Sequence, residues 1–406
     1  APHQYEFAPE FGSVITQTDQ NLVVMQICEE VAAKHDLACL LQEKPFAGVN
    51  GSGKHNNWSI STLCGAQLLN PGDLTAKSGN PELFPVVMAA LVAGVDSYGD
   101  LMRLSIASPG NDFRLGAMEA PPSVISTYLG TQMTEYLTEF MNGNVFEYKP
   151  SVTPIPLGVD SLPVINAPAE DRNRTSPFPY GGHRFEFRAV GSTQNVSLVN
   201  TVLDSMVAKM FSNISDRIEA GESAVAVAQE LLKKHFKAVY NGNGYDPEWP
   251  AKADAMGVTR IDSGVEAINK FVDPKNVEMF SSMGVFTPEE CAARREILLE
   301  LYVGTVEMEV GCMIDMINQH AIPSAKAAGI NASGLEKGAK ECAAAIAKVH
   351  ATEDAFEQAK LCRVLRLETM VNVRKVVDDV EAACPANLWT MATYKELLFV
   401  DTGKHR

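Results

Sequence analysis

The 406-residue sequence predicts an α+β protein built in two parts. Three observations carry that reading. Up to about residue 220, short alternating apolar and polar runs interleave with stretches of helical periodicity. Prolines recur at 150, 154, 156, 163, 168, 177 and 179 and exclude a continuous helix there. Residues 221–406 change character and read almost wholly as helix. The expected organisation is therefore a mixed region over 1–220 followed by a helical domain over 221–406.

Taken in order, Tyr5 to Phe11 alternates polar and apolar residues and reads as a strand. From Asp19 to Lys34, the positions of Leu22, Val23, Met25, Ile27, Val31 and Ala32 give an amphipathic helix behind an Asp start signal. Strands are expected at about 37–43 and 57–62, joined by a loop with three glycines that delivers His55 to the head of the second strand. Asn80-Pro81 opens a helix to about Val95, with Pro85 tolerated in its first turns. The proline-rich stretch from 150 to 179 predicts a long ordered loop or lid. Arg184-Phe185-Glu186-Phe187-Arg188 alternates with period two, which puts its three charges on one strand face. Alone, that pattern is more often a salt-bridged surface strand. Asn195 to Ile218 returns to helical spacing.

Glu222–Tyr240, Thr287–Gln319 and Gly334–Ala383 are long helical patterns. Thr287-Pro288-Glu289-Glu290 is a helix start, with a capping residue, a proline at the first helical position and early acids. Leu361, Val364, Leu365, Met370, Val373, Val377 and Val380 form an apolar packing stripe. Two very long helices divided by Pro323 to Gly334 predict an antiparallel hairpin, and Leu388 to Val400 a short docking helix.

Apolar residues make up 46% and charged residues 21%, ordinary values for a globular chain. No run of eighteen apolar residues occurs, so no membrane span is expected. The net charge of −16 argues against nucleic acid as a partner. Eight cysteines (28, 39, 64, 291, 312, 342, 362 and 384) show no metal-binding spacing and suit reduced thiols in a reducing compartment, the cytoplasm or an organelle stroma.

The most informative stretch is Lys44-Pro45-Phe46-Ala47-Gly48-Val49-Asn50-Gly51-Ser52-Gly53-Lys54-His55-Asn56-Asn57-Trp58-Ser59. Glycines let backbone amides and carbonyls approach a polar ligand. A phosphate-binding P-loop has similar glycine spacing, but His55 stands where its Ser or Thr would hold Mg²⁺, and a strand pattern follows instead of a helix. The stretch resembles the signature of glutamine synthetase, type III branch: Lys-Pro, then Asn-Gly-Ser-Gly-x-His. Arg184-x-Glu186-x-Arg188, Asn173-Arg174-Thr175-Ser176, and Arg114-Leu115 with Glu119-Ala120-Pro121 resemble three further family segments and lie in the family's order.

The resemblance implies a glutamine synthetase catalytic core of antiparallel strands and helices forming a partial barrel, followed by the helical C-terminal domain. It implies ligation of ammonia to the γ-carboxylate of glutamate with ATP, through a γ-glutamyl phosphate, with Mg²⁺ or Mn²⁺. It implies a homo-oligomer, a dodecamer of two stacked hexameric rings. Glu6, His55 and Glu186 match metal ligands, for which carboxylates and one imidazole are suitable donors. Arg114 and Arg174 match arginines on the glutamate carboxylates and the transferred phosphoryl group, and Arg184 and Arg188 match ones on the nucleotide phosphates and the substrate side. Guanidinium geometry suits carboxylate and phosphate equally, so the division of tasks stays open. Asn50 and Gly51 match the site of the glutamate amino end. Glu119 matches the acid that takes a proton from ammonium. Asn57 and Ser59, with His55, fall on the nucleotide side.

There are departures. Asn57 stands where some relatives carry a second histidine, Lys54 replaces Met, Met118 precedes Glu119, and Pro177-Phe178 occupies the zone of a further arginine. Ala1-Pro2 and Gln4-Tyr5-Glu6 resemble the interior of a family segment, so the chain is expected to lack an N-terminal part that carries further metal-binding glutamates. A ligase for another amine and a non-catalytic oligomeric homologue are the alternative readings. His35, His183, His235, His320 and His350 belong to no motif.

Overall fold

The computed structural model describes residues 5–46, 50–113, 123–151, 153–155, 165–167, 173–392 and 396. Helix α1 (Val14–Lys34) starts where the Ser13 hydroxyl accepts from the Thr16 amide, and it ends at His35, before Asp36 turns into the left-handed region. Strand β1 (Gly53–Trp58) follows. Next come α2 (Pro71–Ser78), capped by Asn70 and closed by left-handed Gly79, and the central helix α3 (Leu83–Ser105). A four-residue helix α4 (Pro109–Asp112), the short strand β2 (Thr127–Tyr128) and α5 (Thr131–Met141) lead to the small strands β3 (Thr153–Ile155) and β4 (Ile165–Ala167). Strands β5 (Phe178–Pro179) and β6 (Phe185–Gly191) complete the strand set of the described residues.

Beyond them run α6 (Ser197–Glu219), α7 (Ala224–His235), α8 (Trp249–Met256), α9 (Gly264–Asn269), α10 (Pro274–Ser282) and α11 (Pro288–Met316). A π-turn at Ile317–Ala321 joins α11 to α12 (Ile322–Ala327); α13 (Ser333–His350), α14 (Ala355–Val364) and, past a second π-turn at Leu365–Thr369, α15 (Met370–Ala383) follow. Strands pair as β1 with β6, β2 with β5 and β3 with β4, three two-stranded sheets among the described residues.

Apolar residues are buried along nearly all of α3, which packs on α6, α7 and α9. It is long and apolar enough to cross a membrane, yet 83% of its most apolar window is buried by these neighbours, as befits a core helix. One continuous apolar cluster extends from Trp58 on β1 through α3 and α6 to Val377 on α15.

Several sequence expectations change. The stretches 5–11 and 37–43 are irregular, because among the described residues neither finds a strand to pair with. Strand β1 begins at Gly53, earlier than expected, so His55 lies inside the strand. Pro323 does not end its helix; the backbone stays helical from α11 into α12, and the wider π-turn at Ile317–Ala321 just before the proline accommodates its missing donor. The single helix expected over 334–383 is divided at 351–354, where Asp354 caps a new start by accepting from the Glu357 amide. Helices α2 and α5 carried no expectation. The helix start expected at Thr287–Glu290 forms, and the Thr287 and Glu290 side chains close it as a reciprocal capping box. The helix expected over 388–400 falls mostly outside the described residues, and 388–392 are not helical. All eight cysteines are free thiols; Cys64 and Cys312 are exposed, whereas Cys291, Cys342, Cys362 and Cys384 are buried.

Candidate active site

The β1–β6 pair is built from the two most distinctive sequence stretches. Antiparallel register aligns Asn57 with Glu186, Asn56 with Phe187 and Trp58 with Phe185. Inward, Phe185 and Phe187 pack against Phe178, with ring centroids 4.7 and 5.9 Å away. Also inward, Asn56 donates to Asn200 and Trp58 to Asp204, tying β1 to α6 at 2.9 and 2.8 Å. Outward alternation then leaves His55 and Asn57 beside Glu186 and Arg188.

Register shifts between Lys54 and Asn56, where β1 advances two residues and β6 three. His55 therefore faces two residues, Arg188 and Ala189, at a β-bulge. Such bulges re-aim side chains. His55 Nδ1 lies 3.0 Å from Glu186 Oε1 and 4.0 Å from Glu6 Oε1. Arg188 Nη1 is 3.4 Å from the same Glu186 oxygen.

His55 Nδ1 is buried yet makes no hydrogen bond, because Glu186 is close without lying in line with the ring donor. Two donors in cis positions about 2.1 Å from one small divalent ion stand about 3.0 Å apart. The imidazole and carboxylate therefore fit a shared cation better than they fit each other. Glu6 sits at the rim, its side chain 82% exposed. Among the described residues no group of three His, Cys, Asp or Glu closes around a common point, so the expected metal triad stands as a close pair with Glu6 beside it.

Arg184 is held in place: its Nε donates to Asn57 Oδ1, and its Nη1 lies against His183 Nε2, both at 2.8 Å. The Ser59 hydroxyl donates to the His183 carbonyl at 3.0 Å. Asn57, Ser59 and Arg184 thus form one polar cluster beside the metal-type pair, and His183, which no motif marked, is its centre.

Gly51 is buried and Asn50 half-buried on the loop that enters β1. Arg174 is exposed on an Asx turn, in which the Asn173 side chain accepts from the amides of Thr175 and Ser176. No ion pair joins Arg174 to Glu186 among the described residues. Arg114, Met118 and Glu119 lie outside the described residues.

Sequence reasoning missed Glu43, which is 3% exposed. Its carboxylate accepts from the Thr193 amide and hydroxyl and rests against Gly110 and Gly191, where a Cβ would collide with it. Its carbonyl accepts from the Ser52 amide at 2.8 Å. Glu43 thereby binds the glycine loop to the turn after β6. Lys54 does the same from the other side, donating to the carbonyls of Ser192 and Gln194. Burial lowers the Lys54 pKa to about 8, with Glu43 acting in the opposite sense.

Comparison with known proteins bears on this arrangement. The family model described as "Glutamine synthetase, catalytic domain" matches residues 1–93, and that described as "Glutamine synthetase C-terminal domain" matches residues 223–331. The sequence is 38% identical over 331 residues to the type-3 glutamine synthetase of Dictyostelium discoideum, covering 80% of this chain and 44% of that protein. It is 33% identical over an alignment of 437 positions, gaps included, to a glutamine synthetase of Butyrivibrio fibrisolvens, covering 98% of this chain and 61% of that one. This chain belongs to the glutamine synthetase family. A Bacteroides fragilis glutamine synthetase, 35% identical over 338 residues, matches 80% of this chain with 46% of its own length. The chain thus spans about half the length of the curated relatives it matches, and its likeness to the type-3 protein agrees with the type III signature read from residues 44–59.

Proposed function

We propose that the full-length protein joins ammonia to the γ-carboxylate of glutamate at the expense of ATP, through a γ-glutamyl phosphate. The observation that carries this reading is the buried, unbonded His55 Nδ1 facing Glu186, with Arg188 and Arg184 alongside. A carboxylate is a poor electrophile until phosphorylated, and phosphoryl transfer depends on positioning and charge neutralisation.

His55, Glu186 and Glu6 would hold Mg²⁺ or Mn²⁺, which when bound supplies positive charge to phosphate oxygens. Arg188, fixed by Glu186, directs its remaining donors to a carboxylate or phosphate. Arg184, tethered by Asn57 and His183, presents a guanidinium to the nucleotide, with Ser59 beside it. Asn50 and Gly51 offer backbone and amide groups to the amino end of glutamate. Arg114, Arg174 and Glu119 keep the roles that the sequence resemblance implies. A domain boundary near 220, the family's partial barrel containing β1 and β6, a helical hairpin in the C-terminal part and a dodecamer of two stacked hexameric rings belong to the same proposal.

The test is phosphate release with glutamate, ammonia and ATP in the full-length protein, set beside Mn²⁺ binding. His55→Ala is expected to remove both together. Metal-dependent glutamine formation unchanged in that variant defeats the reading.

A further inference from the structure

We propose that Asn111 is a positioning residue for the His55–Glu186 pair, and that the C-terminal helices hold it in place. The inference rests on the metal-site reading above. Opposite His55, the bulge in β6 takes Arg188 and Ala189 out of the regular ladder, which leaves a backbone group in need of a partner. Asn111, 1% exposed, provides one: its Nδ2 donates to the Ala189 carbonyl at 3.1 Å and to the Ile106 carbonyl at 2.8 Å. The same amide lies 3.5 Å from Gln194 Oε1, which accepts from the Gly191 amide at the end of β6. The bulge that turns Arg188 and opposes His55 is thus pinned by one buried side chain.

Asn111 belongs to α4, a helix too short to hold itself. Its neighbours are fixed from the C-terminal side. Arg366, in the π-turn before α15, donates to the Pro109 carbonyl and lies 4.0 Å over the Phe113 ring. Two parallel bonds to Glu309 on α11, one of them 2.8 Å long, orient that guanidinium. The Tyr302 hydroxyl, also on α11, donates to Asp112 Oδ2 at 3.0 Å. Residues distant in sequence thereby bracket Asn111 on both sides. Local π geometry of this kind is often retained where it serves a site. The helical region, in this view, sets the spacing between His55 and Glu186 through α4.

The experiment titrates Mn²⁺ into full-length protein and follows free Mn²⁺ by electron paramagnetic resonance, with thermal unfolding of each variant measured alongside. Asn111→Ala is expected to weaken Mn²⁺ binding about 10- to 100-fold, the usual loss when an outer-sphere support is removed. Asn276→Ala is the matched control: Asn276 is equally buried, but its amide bonds go to Asp100 and Lys270. That control is expected to lower the Tm comparably and to leave Mn²⁺ affinity within about twofold. Tyr302→Phe, which removes one hydroxyl and keeps the volume, is expected to weaken Mn²⁺ about threefold, and it carries the test if Asn111→Ala does not fold. Parent-like affinity in folded Asn111→Ala, or an equal loss in Asn276→Ala, overturns the role of Asn111. Parent-like affinity in Tyr302→Phe overturns the link to the C-terminal helices. A parent protein that binds no Mn²⁺, or a His55→Ala variant that binds it as tightly as the parent, instead removes the metal-site reading beneath both.

Discussion

Two charged clusters linked by α4 solve opposite problems. His55, Glu186 and Arg188 lie on the outer face of β1–β6, partly open to solvent, with a ring nitrogen left without a hydrogen bond. Arg103, Asp112 and Tyr302 are sealed inside, and their groups are turned on one another. Arg103 Nε donates to the Ile261 carbonyl at 3.0 Å, and its Nη2 lies 3.6 Å from Asp112 Oδ1, an ion pair too long for a hydrogen bond. Burial raises the Asp112 carboxyl pKa, opposed by Arg103 and Tyr302. Charge density alone therefore does not mark a site. Both clusters leave bonding capacity unspent, Arg103 Nη2 and Asp112 Oδ1 inside as well as His55 Nδ1 outside; what separates them is that the outer residues are partly open to solvent and the inner ones are not.

Substitutions in each region can break that contrast. The largest effect is expected from Arg103→Met, which leaves Asp112 buried without its partner and should cost about 3–5 kcal/mol of stability in denaturant titrations. A loss below about 1 kcal/mol would mean that the carboxyl is already neutral. His55→Ala should lower Mn²⁺ affinity about 100-fold or more, with little change in the unfolding midpoint. A large stability loss there would make the outer cluster structural too. Gly191→Ala should cost about 1–3 kcal/mol through displacement of Glu43, and Glu43→Ala in the same background should recover part of it if the collision is the cause.

The smallest effect concerns Lys54. Its native pKa of about 8 lies below the ordinary lysine value of 10.5, so between these values the unfolded chain binds more protons. Its contribution is then fully present above about 10.5 and is lost as pH falls through about 8. The stability of the parent relative to Lys54→Met should rise from pH 7 to pH 10. A flat difference would place the ammonium in contact with water.

Legibility in the sequence followed the range of the interaction. Local devices are readable: the helix start at Thr287–Glu290, and the alternation of Phe185 and Phe187 with Glu186 and Arg188, which becomes a strand with one buried face. Strand β1 was placed late because Gly53, Lys54, Asn56 and Asn57 favour no strand by themselves; pairing with β6 makes them one. The reverse holds at 37–43, an apolar run that pairs with no strand among the described residues. The division at 351–354 had a local sign in Asp354 and Glu357, hidden by the apolar stripe that runs on beyond it. Glu43 and Asn111 were illegible because their partners, Thr193 and Ala189, lie 150 and 78 positions away.

The 23-residue helix α3 carries one last consequence. Its covers, α6 and α7, are translated only after residue 196, so at ordinary synthesis rates the ribosome holds α3 uncovered for on the order of ten seconds. During that interval a nascent segment with the apolarity of a bilayer anchor competes for chaperones and the insertion machinery, and Asp96, Asp100 and Arg103 are the charges that disfavour entry into lipid. Ribosome-bound chains stopped at residue 150 should therefore be captured by chaperones, and chains extended well beyond residue 240 should be released.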